Sequence, residues 1–276
     1  MERPVITFLT DFGPESAPAI CRGVMLSIAR EAQIVDISHS VRKYSIRDGA
    51  YLLWSAVPWM PVGVHVVVVD PGVGTERHPI AIRTARGDIL VGPDNGVLMP
   101  AAEVLGGVTE ARILENRELM LPRLTSTFHG RDLFAPIAAH LATGAPFESV
   151  GRTIHVGALV PLHFPAPTVT DGALQTTVLF VDSFGNLRLA GLPGDLAAAI
   201  GPLESGRPLV ADFAAHDSLP AVSEALPWSR TFGERPLGAA LIYENSFGHL
   251  AIADNQGNAS ARLGIEVDRP VRIRPA

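Results

Sequence analysis

The sequence of 276 residues contains only one cysteine, few charged residues and no long apolar run. Cys21 alone cannot form an internal disulfide, which excludes a disulfide scaffold and gives no sign of secretion. The apolar runs have the length of strands and fall short of the roughly 20 residues that a membrane span requires. We therefore expect a soluble cytoplasmic protein with no membrane partner.

Basic residues are also in the minority. Lysine and arginine number 22 against 28 aspartate and glutamate residues, which gives a formal net charge of −6. A general nucleic-acid binder needs a basic face, and the chain has no run of lysine or arginine. The composition therefore predicts that nucleic acid is not a partner.

Several common site signatures are missing as well. The nine histidines include no pair separated by one or three residues, and with a single cysteine the sequence predicts no zinc site. The chain has no Gly-x-Ser-x-Gly turn of a serine hydrolase, no phosphate-binding P-loop and no Gly-x-Gly-x-x-Gly fingerprint. The chemistry must therefore be sought in polar side chains at strand ends.

Apolar residues are plentiful, at 47%, and so are glycine and proline, with 26 and 23 residues. The first half of the chain alternates apolar strands, such as 5–10 and 64–69, with helical patterns, such as 19–30 and 46–59. Apolar strands separated by helices predict a parallel sheet covered on both faces. We therefore predict an α/β domain over residues 1–160.

The second half of the chain has a different pattern. Residues 161–172 are rich in proline and poor in charge, which is typical of a linker. Beyond them the chain has short strand patterns that are joined by turns, with little helix. This pattern predicts a smaller β-barrel domain over residues 173–276.

Polar side chains follow predicted strands at the edge where open parallel sheets bind ligands. By themselves, Asp11 and the turn at 94–96 are more typical of caps and tight turns. Asp70 differs, because it directly follows a buried strand and precedes two glycines that let the backbone approach a ligand. Arg77, seven residues on, can keep this carboxylate ionised. A purely structural Asp–Arg pair is the open alternative.

Three further turns carry polar groups. His129 lies in a glycine-flanked turn before a predicted helix, where it can contact a ligand or belong to a simple cap. The turns at 182–186 and 245–248 each combine asparagine, serine and an aromatic ring around a glycine. They are either two β-turns or the amide, hydroxyl and ring groups that bind a nucleoside. Spacing alone leaves these alternatives open.

Six motifs occur in order across nearly the whole chain. They are TDFG at 10–13, VDPGVGTER at 69–77, PDNG at 93–96, STFHGRD at 126–132, DSFGN at 182–186 and NQGN at 255–258. Together they closely resemble the S-adenosyl-L-methionine hydroxide adenosyltransferase family, which is related to fluorinating and chlorinating enzymes that attack the same carbon with halide. The resemblance implies an α/β domain with a central, mostly parallel seven-stranded sheet, followed by a smaller β-barrel. It also implies a homotrimer with sites between subunits, and no metal or separate cofactor.

The resemblance also assigns residues to the site. The catalytic group corresponds to Asp70, Arg77 and His129. The implied substrate-binding residues are Asp11 at the ribose, Tyr44 and the rings Phe128 and Phe184 near the substrate, Asn186 at the adenine, and Asp182 and Ser246 at the amino and carboxylate groups of methionine.

The implied reaction is hydrolysis of S-adenosyl-L-methionine to adenosine and L-methionine, by attack of water or hydroxide at ribose C5′. The halogenating relatives have a non-acidic residue in place of Asp70. A carboxylate there repels halide, so Asp70 favours water. The alternatives are a halide-dependent adenosyl transferase, which the segment at 21–25 resembles, and a nucleoside-binding protein without turnover.

Overall fold

In the computed structural model, which describes residues 3–215 and 219–276, the chain divides between His163 and Phe164 into two units. This boundary falls within the proline-rich segment at 161–172. We call the two parts the N-terminal unit and the C-terminal unit. Throughout the described ranges, no helix has the length and apolar character that crossing a membrane requires.

The N-terminal unit alternates strands and helices. Its strands are β1 (Val5–Thr10), β2 (Gln33–Ser38), β3 (Val64–Val68), β4 (Pro79–Thr84), β5 (Ile89–Pro93) and β6 (Val108–Ile113). Its helices are α1 (Ala17–Ile28), α2 (Ile46–Ala56), α3 (Met99–Val104) and α4 (Ala135–Ala142). The start of α2 follows from its sequence, since the side chain of Ser45 accepts a hydrogen bond from the backbone N–H of Asp48.

The strands of this unit form one sheet in the order β2-β1-β3-β5-β4-β6. The four strands from β2 to β5 in this order run parallel, whereas β4 pairs antiparallel with both β5 and β6. The α/β class and the largely parallel sheet are thus confirmed. The expected count of seven strands is wrong for the part of the chain described, which has six. After β6 the chain continues through irregular turns towards α4 and adds no further strand.

Alternate residues of β1 and β3 build the core on one face of the sheet. Ile6 and Phe8 of β1 and Val66 of β3 share one buried cluster with Cys21 of α1 and Phe134, directly before α4. The alternation of side chains along a strand brings these residues to the same face. Because every residue of β3 is buried, an almost continuous apolar run is the expected sequence for this strand.

The carboxyl ends of β1 and β3 form the edge that carries the candidate site. The two strands pair in parallel with Thr10 opposite Val68, so Asp11 and Asp70 both follow the sheet at this edge. A π-helical turn, Gly130–Phe134, leads into α4. Turns of this kind occur frequently at functional sites.

The C-terminal unit is mainly antiparallel. Its strands are β7 (Thr168–Thr170), β8 (Ala173–Val181), β9 (Leu187–Leu189), β10 (Pro208–Phe213), β11 (Val222–Pro227), β12 (Ala240–Glu244), β13 (Leu250–Asp254) and β14 (Pro270–Pro275). Its helices, α5 (Pro193–Ile200) and α6 (Ala259–Leu263), are short. The segment predicted as a linker is therefore partly regular, since β7 lies within it and pairs with β8.

The sheet of this unit has the order β11-β10-β14-β8-β9-β13-β12. Its two ends approach each other, because Trp228 directly after β11 forms a bridge with Ile242 of β12. The apolar side chains of the strands, among them Leu187 and Leu189, meet in one buried cluster. The predicted barrel-like second domain is confirmed.

Candidate active site

Asp70 and Arg77 form a buried, two-pronged ion pair beyond the end of β3. Nε of Arg77 donates to both carboxylate oxygens of Asp70, at 2.9 and 3.1 Å, and its Nη2 donates to Oδ2. The side chains are 5% exposed for Asp70 and 9% exposed for Arg77. A carboxylate has about four acceptor positions. Arg77 fills three of them, which leaves one on Oδ1 of Asp70.

Arg77 also contacts His129, and this contact fixes the state of the imidazole. Nη2 of Arg77 lies 2.9 Å from Nδ1 of His129. A guanidinium can only donate, so Nδ1 accepts, and the neutral ring carries its hydrogen on Nε2. Burial, together with the positive charge of Arg77, lowers the pKa of His129. The ring is therefore neutral, and its free nitrogen is a donor.

The turn that carries His129 is held by the buried carboxylate of Asp132. Oδ2 of Asp132 accepts from the backbone N–H and the hydroxyl of Thr125, at 2.8 and 2.6 Å, and Oδ1 accepts from Nε of Arg131. Burial opposes ionisation, but these hydrogen bonds outweigh it and lower the pKa of Asp132. Since its acceptor positions are used locally, Asp132 serves to hold the turn.

Asp11, after β1, holds the loop that leads into α2. Its Oδ2 accepts from the backbone N–H of Tyr44 at 2.9 Å, and Nζ of Lys43 donates to its carbonyl oxygen at 2.7 Å. Tyr44 has a φ of +66°, which is uncommon for a residue other than glycine and is typical of functional loops. Because Tyr44 is 72% exposed, its ring is available for stacking on a ligand.

One pocket in the N-terminal unit brings these groups together. The residues that line it are Asp11, Phe12, Tyr44, Val68, Asp70, Val73, Thr127, Phe128, His129 and Gly130. Arg77 joins the group through its hydrogen bonds to Asp70 and His129. All the site residues that the sequence predicts for this unit therefore lie at one place.

A second pocket lies in the C-terminal unit. Its lining residues are Asp182, Phe184, Asn186, Arg188, Phe232, Tyr243, Asn245, Ser246, Asp254, Asn255, Gln256 and Gly257. The four residues that the sequence predicts for this unit are all among them. Phe184 is 74% exposed, and the rings of Phe232 and Tyr243 lie 4.8 Å apart. The pocket therefore offers both aromatic surface and polar groups, the combination that nucleoside recognition needs.

The carboxylate of Asp182 is fully engaged within this pocket. Its Oδ1 accepts from the backbone N–H groups of Phe184 and Asn186, each at 3.0 Å. Its Oδ2 accepts from Nδ2 of Asn186 and Nη2 of Arg188, also at 3.0 Å. These four donors match the about four acceptor positions of a carboxylate. A ligand can reach Asp182 only by replacing one of them.

Other chemistry can be assessed from the same structure. Burial raises the pKa of the Cys21 thiol to about 12, so this side chain is a packed apolar group and not a nucleophile. In the described ranges, no group of three or more histidine, cysteine, aspartate or glutamate residues is arranged to hold a metal ion. The candidate sites are the pockets of the two units.

Models of one protein family match both units of the chain. The family model of the SAM hydroxide adenosyltransferase N-terminal domain matches residues 6–151, and that of the C-terminal domain matches residues 176–272. The chain belongs to the SAM hydroxide adenosyltransferase family. Each of the two pockets lies within one of the matched domains.

Relatives of this hydroxide adenosyltransferase family member extend over nearly its full length. It is 42% identical to the (R)-S-adenosyl-L-methionine hydrolase of Salinispora arenicola, covering 98% of this chain and 97% of the relative. It is 38% identical to the enzyme of the same name from Thermus thermophilus, covering 98% and 99%. A fluorinase of Actinopolyspora mzabensis is 28% identical, covering 98% and 97%.

Solved structures also share the fold. An uncharacterized conserved protein from Thermotoga maritima superposes with a TM-score of 0.88 at 33% identity, covering 98% of this chain and 99% of that protein. A conserved hypothetical protein from Thermus thermophilus gives a TM-score of 0.74 at 33% identity, covering 99% and 100%. The two-unit architecture is thus shared with these proteins.

Some pocket residues of this hydroxide adenosyltransferase were missed at the level of sequence. Arg188 and Asn245 line the C-terminal pocket, and Lys43 supports Asp11. In the sequence, an arginine between two leucines of a short strand has the same pattern whether its side chain lines a pocket or lies in solvent. The spacing of Asp182 and Arg188 is the only available signal, and it requires knowing that a tight turn joins β8 and β9.

Proposed function

We propose that this protein hydrolyses S-adenosyl-L-methionine to adenosine and L-methionine by attack of water or hydroxide on C5′ of the ribose. The observation that carries the proposal is the hydrogen-bonded chain from Asp70 through Arg77 to His129 at the pocket of the N-terminal unit. Two relatives that are 42% and 38% identical to this chain are named (R)-S-adenosyl-L-methionine hydrolase. The pocket holds the polar groups that such a reaction needs.

The sulfonium of the substrate leaves without protonation, so the protein has to align an oxygen nucleophile opposite the sulfur and exclude other water. The free acceptor position of Asp70 is suited to take a hydrogen bond from that water and then its proton. Nε2–H of His129 donates to the same oxygen and orients it. Arg77 compensates the charge of Asp70 and keeps Nδ1 of His129 occupied.

The substrate contacts follow from the two pockets. We propose that Asp11 binds the ribose hydroxyls and that Tyr44 and Phe128 pack on the substrate. In the C-terminal unit, Phe184 and Asn186 recognise the adenine. Asp182 and Ser246 hold the amino and carboxylate groups of methionine.

We also propose that the protein is a cytoplasmic homotrimer that uses no metal or separate cofactor. The trimer is supported by the division of the substrate-binding residues between two pockets, each in its own unit. The single cysteine fits a reducing compartment. Turnover that persists after chelation, and a trimeric mass in solution by light scattering, are the expected results.

The deciding experiment is incubation of the purified protein with S-adenosyl-L-methionine in ¹⁸O-water, with and without chloride or fluoride. Mass spectrometry is expected to find methionine and adenosine that carries ¹⁸O at the 5′ position. A 5′-halogenated adenosine would identify a halide-dependent transferase. Tight binding without any product would identify a nucleoside-binding protein. Either of these results overturns the proposal.

A further inference from the structure

Arg188 is a charged residue in the C-terminal pocket to which the proposed function gives no role. It lies in the middle of β9, between Leu187 and Leu189, whose side chains are in the core. Alternation along the strand directs Arg188 away from that core, and the residue lines the pocket beside Asp182. The side chains of Arg188 and Asp182 are only 16% and 13% exposed.

The ion pair of Arg188 and Asp182 places both charges where the amino-acid end of the substrate is proposed to bind. Asp182 has four donors, so the ammonium group of a substrate cannot be added to the existing set. Two of these donors are backbone N–H groups, which cannot leave without unfolding the turn. Arg188 is the donor with a charge and a long side chain, and it is the one that an ammonium can replace.

Arg188 has donor capacity that the protein does not use. Its Nη1 is buried and makes no hydrogen bond to any residue in the described part of the chain. The Nδ2 of Asn245, in the same pocket, is also buried and has no acceptor among the described residues. Buried donors without acceptors are unfavourable. The guanidinium also lies over the ring of Phe247, 5.6 Å from its centroid, which supports its flat face and leaves its edge for an acceptor.

We propose that Arg188 binds the carboxylate of the substrate by exchange of ion pairs. This inference rests on the proposed function and adds a residue to it. When S-adenosyl-L-methionine enters, its ammonium replaces the guanidinium at Asp182, and its carboxylate takes the released guanidinium of Arg188. One internal ion pair is thereby exchanged for two pairs with the ligand, and both protein charges stay compensated before and after binding.

The exchange has a consequence for specificity. A zwitterion can satisfy both partners, whereas a ligand that has the ammonium but no carboxylate would separate Asp182 from Arg188 and leave the guanidinium unpaired. A buried charge that loses its partner is strongly unfavourable. The pocket therefore selects against sulfonium substrates that lack the carboxylate.

The test compares S-adenosyl-L-methionine with its decarboxylated analogue in the wild type and in Arg188→Met, for both turnover and calorimetric binding. We expect the wild type to prefer the carboxylate-bearing substrate. Arg188→Met should raise KM and Kd for that substrate by about 30-fold or more and change kcat by less than about threefold. The Kd of the decarboxylated analogue should fall, because its ammonium no longer has to separate Asp182 from a buried guanidinium, so that the preference disappears. Arg188→Lys should restore part of it.

Arg262→Met is the matched control. Arg262 also pairs with a carboxylate of this pocket, that of Asp254, but Arg262 itself is absent from the pocket lining. Its removal should affect the two substrates equally. Equal losses in Arg188→Met would show that Arg188 only holds the turn, and would overturn the inference. If Arg188→Met does not fold, Arg188→Lys carries the test, and an unchanged preference in it overturns the inference.

Failure of the inference about Arg188 and failure of the proposed hydrolysis give different results in this experiment. If the wild type hydrolyses the substrate but Arg188→Met loses both ligands equally, only the present inference fails. If the wild type binds without turnover, hydrolysis fails, and the ratio of the two Kd values still decides the role of Arg188. If the wild type binds neither ligand, both are overturned.

Discussion

Nη2 of Arg77 lies 2.9 Å from Nδ1 of His129, and the same nitrogen donates to Asp70. Because arginine has no acceptor, this contact requires Nδ1 of His129 to be without hydrogen. The imidazole is therefore a donor at Nε2 and is not available as a base there. Of the residues assigned to catalysis, Asp70 is the one that can accept the proton of the attacking water.

The donor role of His129 can be separated from other roles with two amide variants. In His129→Gln the amide nitrogen can occupy the position of Nε2 and still donate, whereas in His129→Asn the amide matches only the position of Nδ1. We expect His129→Ala and His129→Asn to lose about 10²- to 10³-fold in kcat, as for other lost donors at a reacting oxygen, and His129→Gln to lose clearly less. Stopped assays of adenosine formation measure this.

Binding of substrate serves as the control for these variants. Calorimetric Kd values should stay within about threefold of the wild type in all three, because the donor acts on the nucleophile and not on the substrate. If His129→Asn is the more active amide variant, the hydrogen is on the other nitrogen and the assignment is wrong.

The dependence of turnover on pH follows from the same contact. Burial and Arg77 lower the pKa of His129 below its ordinary value of 6.5, so the ring stays neutral as the pH falls through 6.5. Protonation at lower pH places a hydrogen on Nδ1, facing Arg77, and breaks the chain. We expect kcat to be level through pH 6.5 and to fall only below it, as measured in a pH–rate profile.

The stability of the protein should follow with a defined sign. A histidine whose folded-state pKa is lowered binds its proton more readily in the unfolded state. The contribution of His129 to the free energy of unfolding is therefore fully present above pH 6.5 and decreases as the pH falls towards its folded-state pKa. His129→Gln should lack this component in melts between pH 7 and 5. An identical decrease in His129→Gln would contradict the assignment.

Asp70 should matter for both folding and turnover. Asp70→Asn keeps the shape but leaves the buried guanidinium of Arg77 without its counter-charge, and loss of one partner of a buried pair costs about 3–5 kcal/mol. We expect a lower midpoint of urea unfolding and a loss of about 10²- to 10⁴-fold in kcat. Asp132→Asn is the comparison variant: it should lower stability through the turn at Thr125, with a smaller effect on kcat in the folded fraction.

The position of the pocket in the N-terminal unit is largely predictable from sequence. An apolar, β-branched run that ends in an aspartate predicts a buried parallel strand with a carboxylate at its end, and parallel neighbours bring such ends to one edge. This is why Asp11 and Asp70 line the same pocket. The contact of Arg77 with His129 depends on two turns, and turn geometry follows from the fold more than from local residues.

The C-terminal unit shows where prediction from sequence stops. Residues of β11 alternate in burial, but its sequence does not alternate strongly between apolar and polar residues. The helix α6 has only five residues. Neither element therefore gives a clear periodic signal in the sequence. The strand β9 has only three residues, and its arginine has no local feature that distinguishes a pocket from solvent. Its role becomes visible only when Asp182 and the orphaned Nη1 are seen together.

Gly74 should be essential for the position of His129. It has a φ of +79°, and a Cβ at this residue would lie 2.6 Å from the carbonyl oxygen of Ser126, in the turn that carries His129. Gly74→Ala should therefore lower kcat by displacing that turn and should reduce stability by more than the about 1 kcal/mol of a strained φ. Thermal melts and initial rates measure the two effects.

Gly107→Ala is the matched control for this change. Gly107 has a φ of +92°, and a Cβ there would meet no described atom within 4 Å. It should therefore show the effect of the strained φ alone, with kcat unchanged. Equal behaviour of the two variants would mean that the close approach of Gly74 to Ser126 does not position the site.

The proposed trimer can be tested by complementation between inactive chains. Asp70→Ala removes a catalytic residue from the N-terminal unit, and Asn186→Ala removes an adenine contact from the C-terminal unit. If each site combines the N-terminal unit of one subunit with the C-terminal unit of the next, every mixed trimer contains one intact site. Double-tagged mixed oligomers should then recover about a third of wild-type activity, while each variant alone stays inactive. Mixed oligomers without activity would place both halves of the site in one chain, and a monomeric mass by light scattering would exclude the trimer.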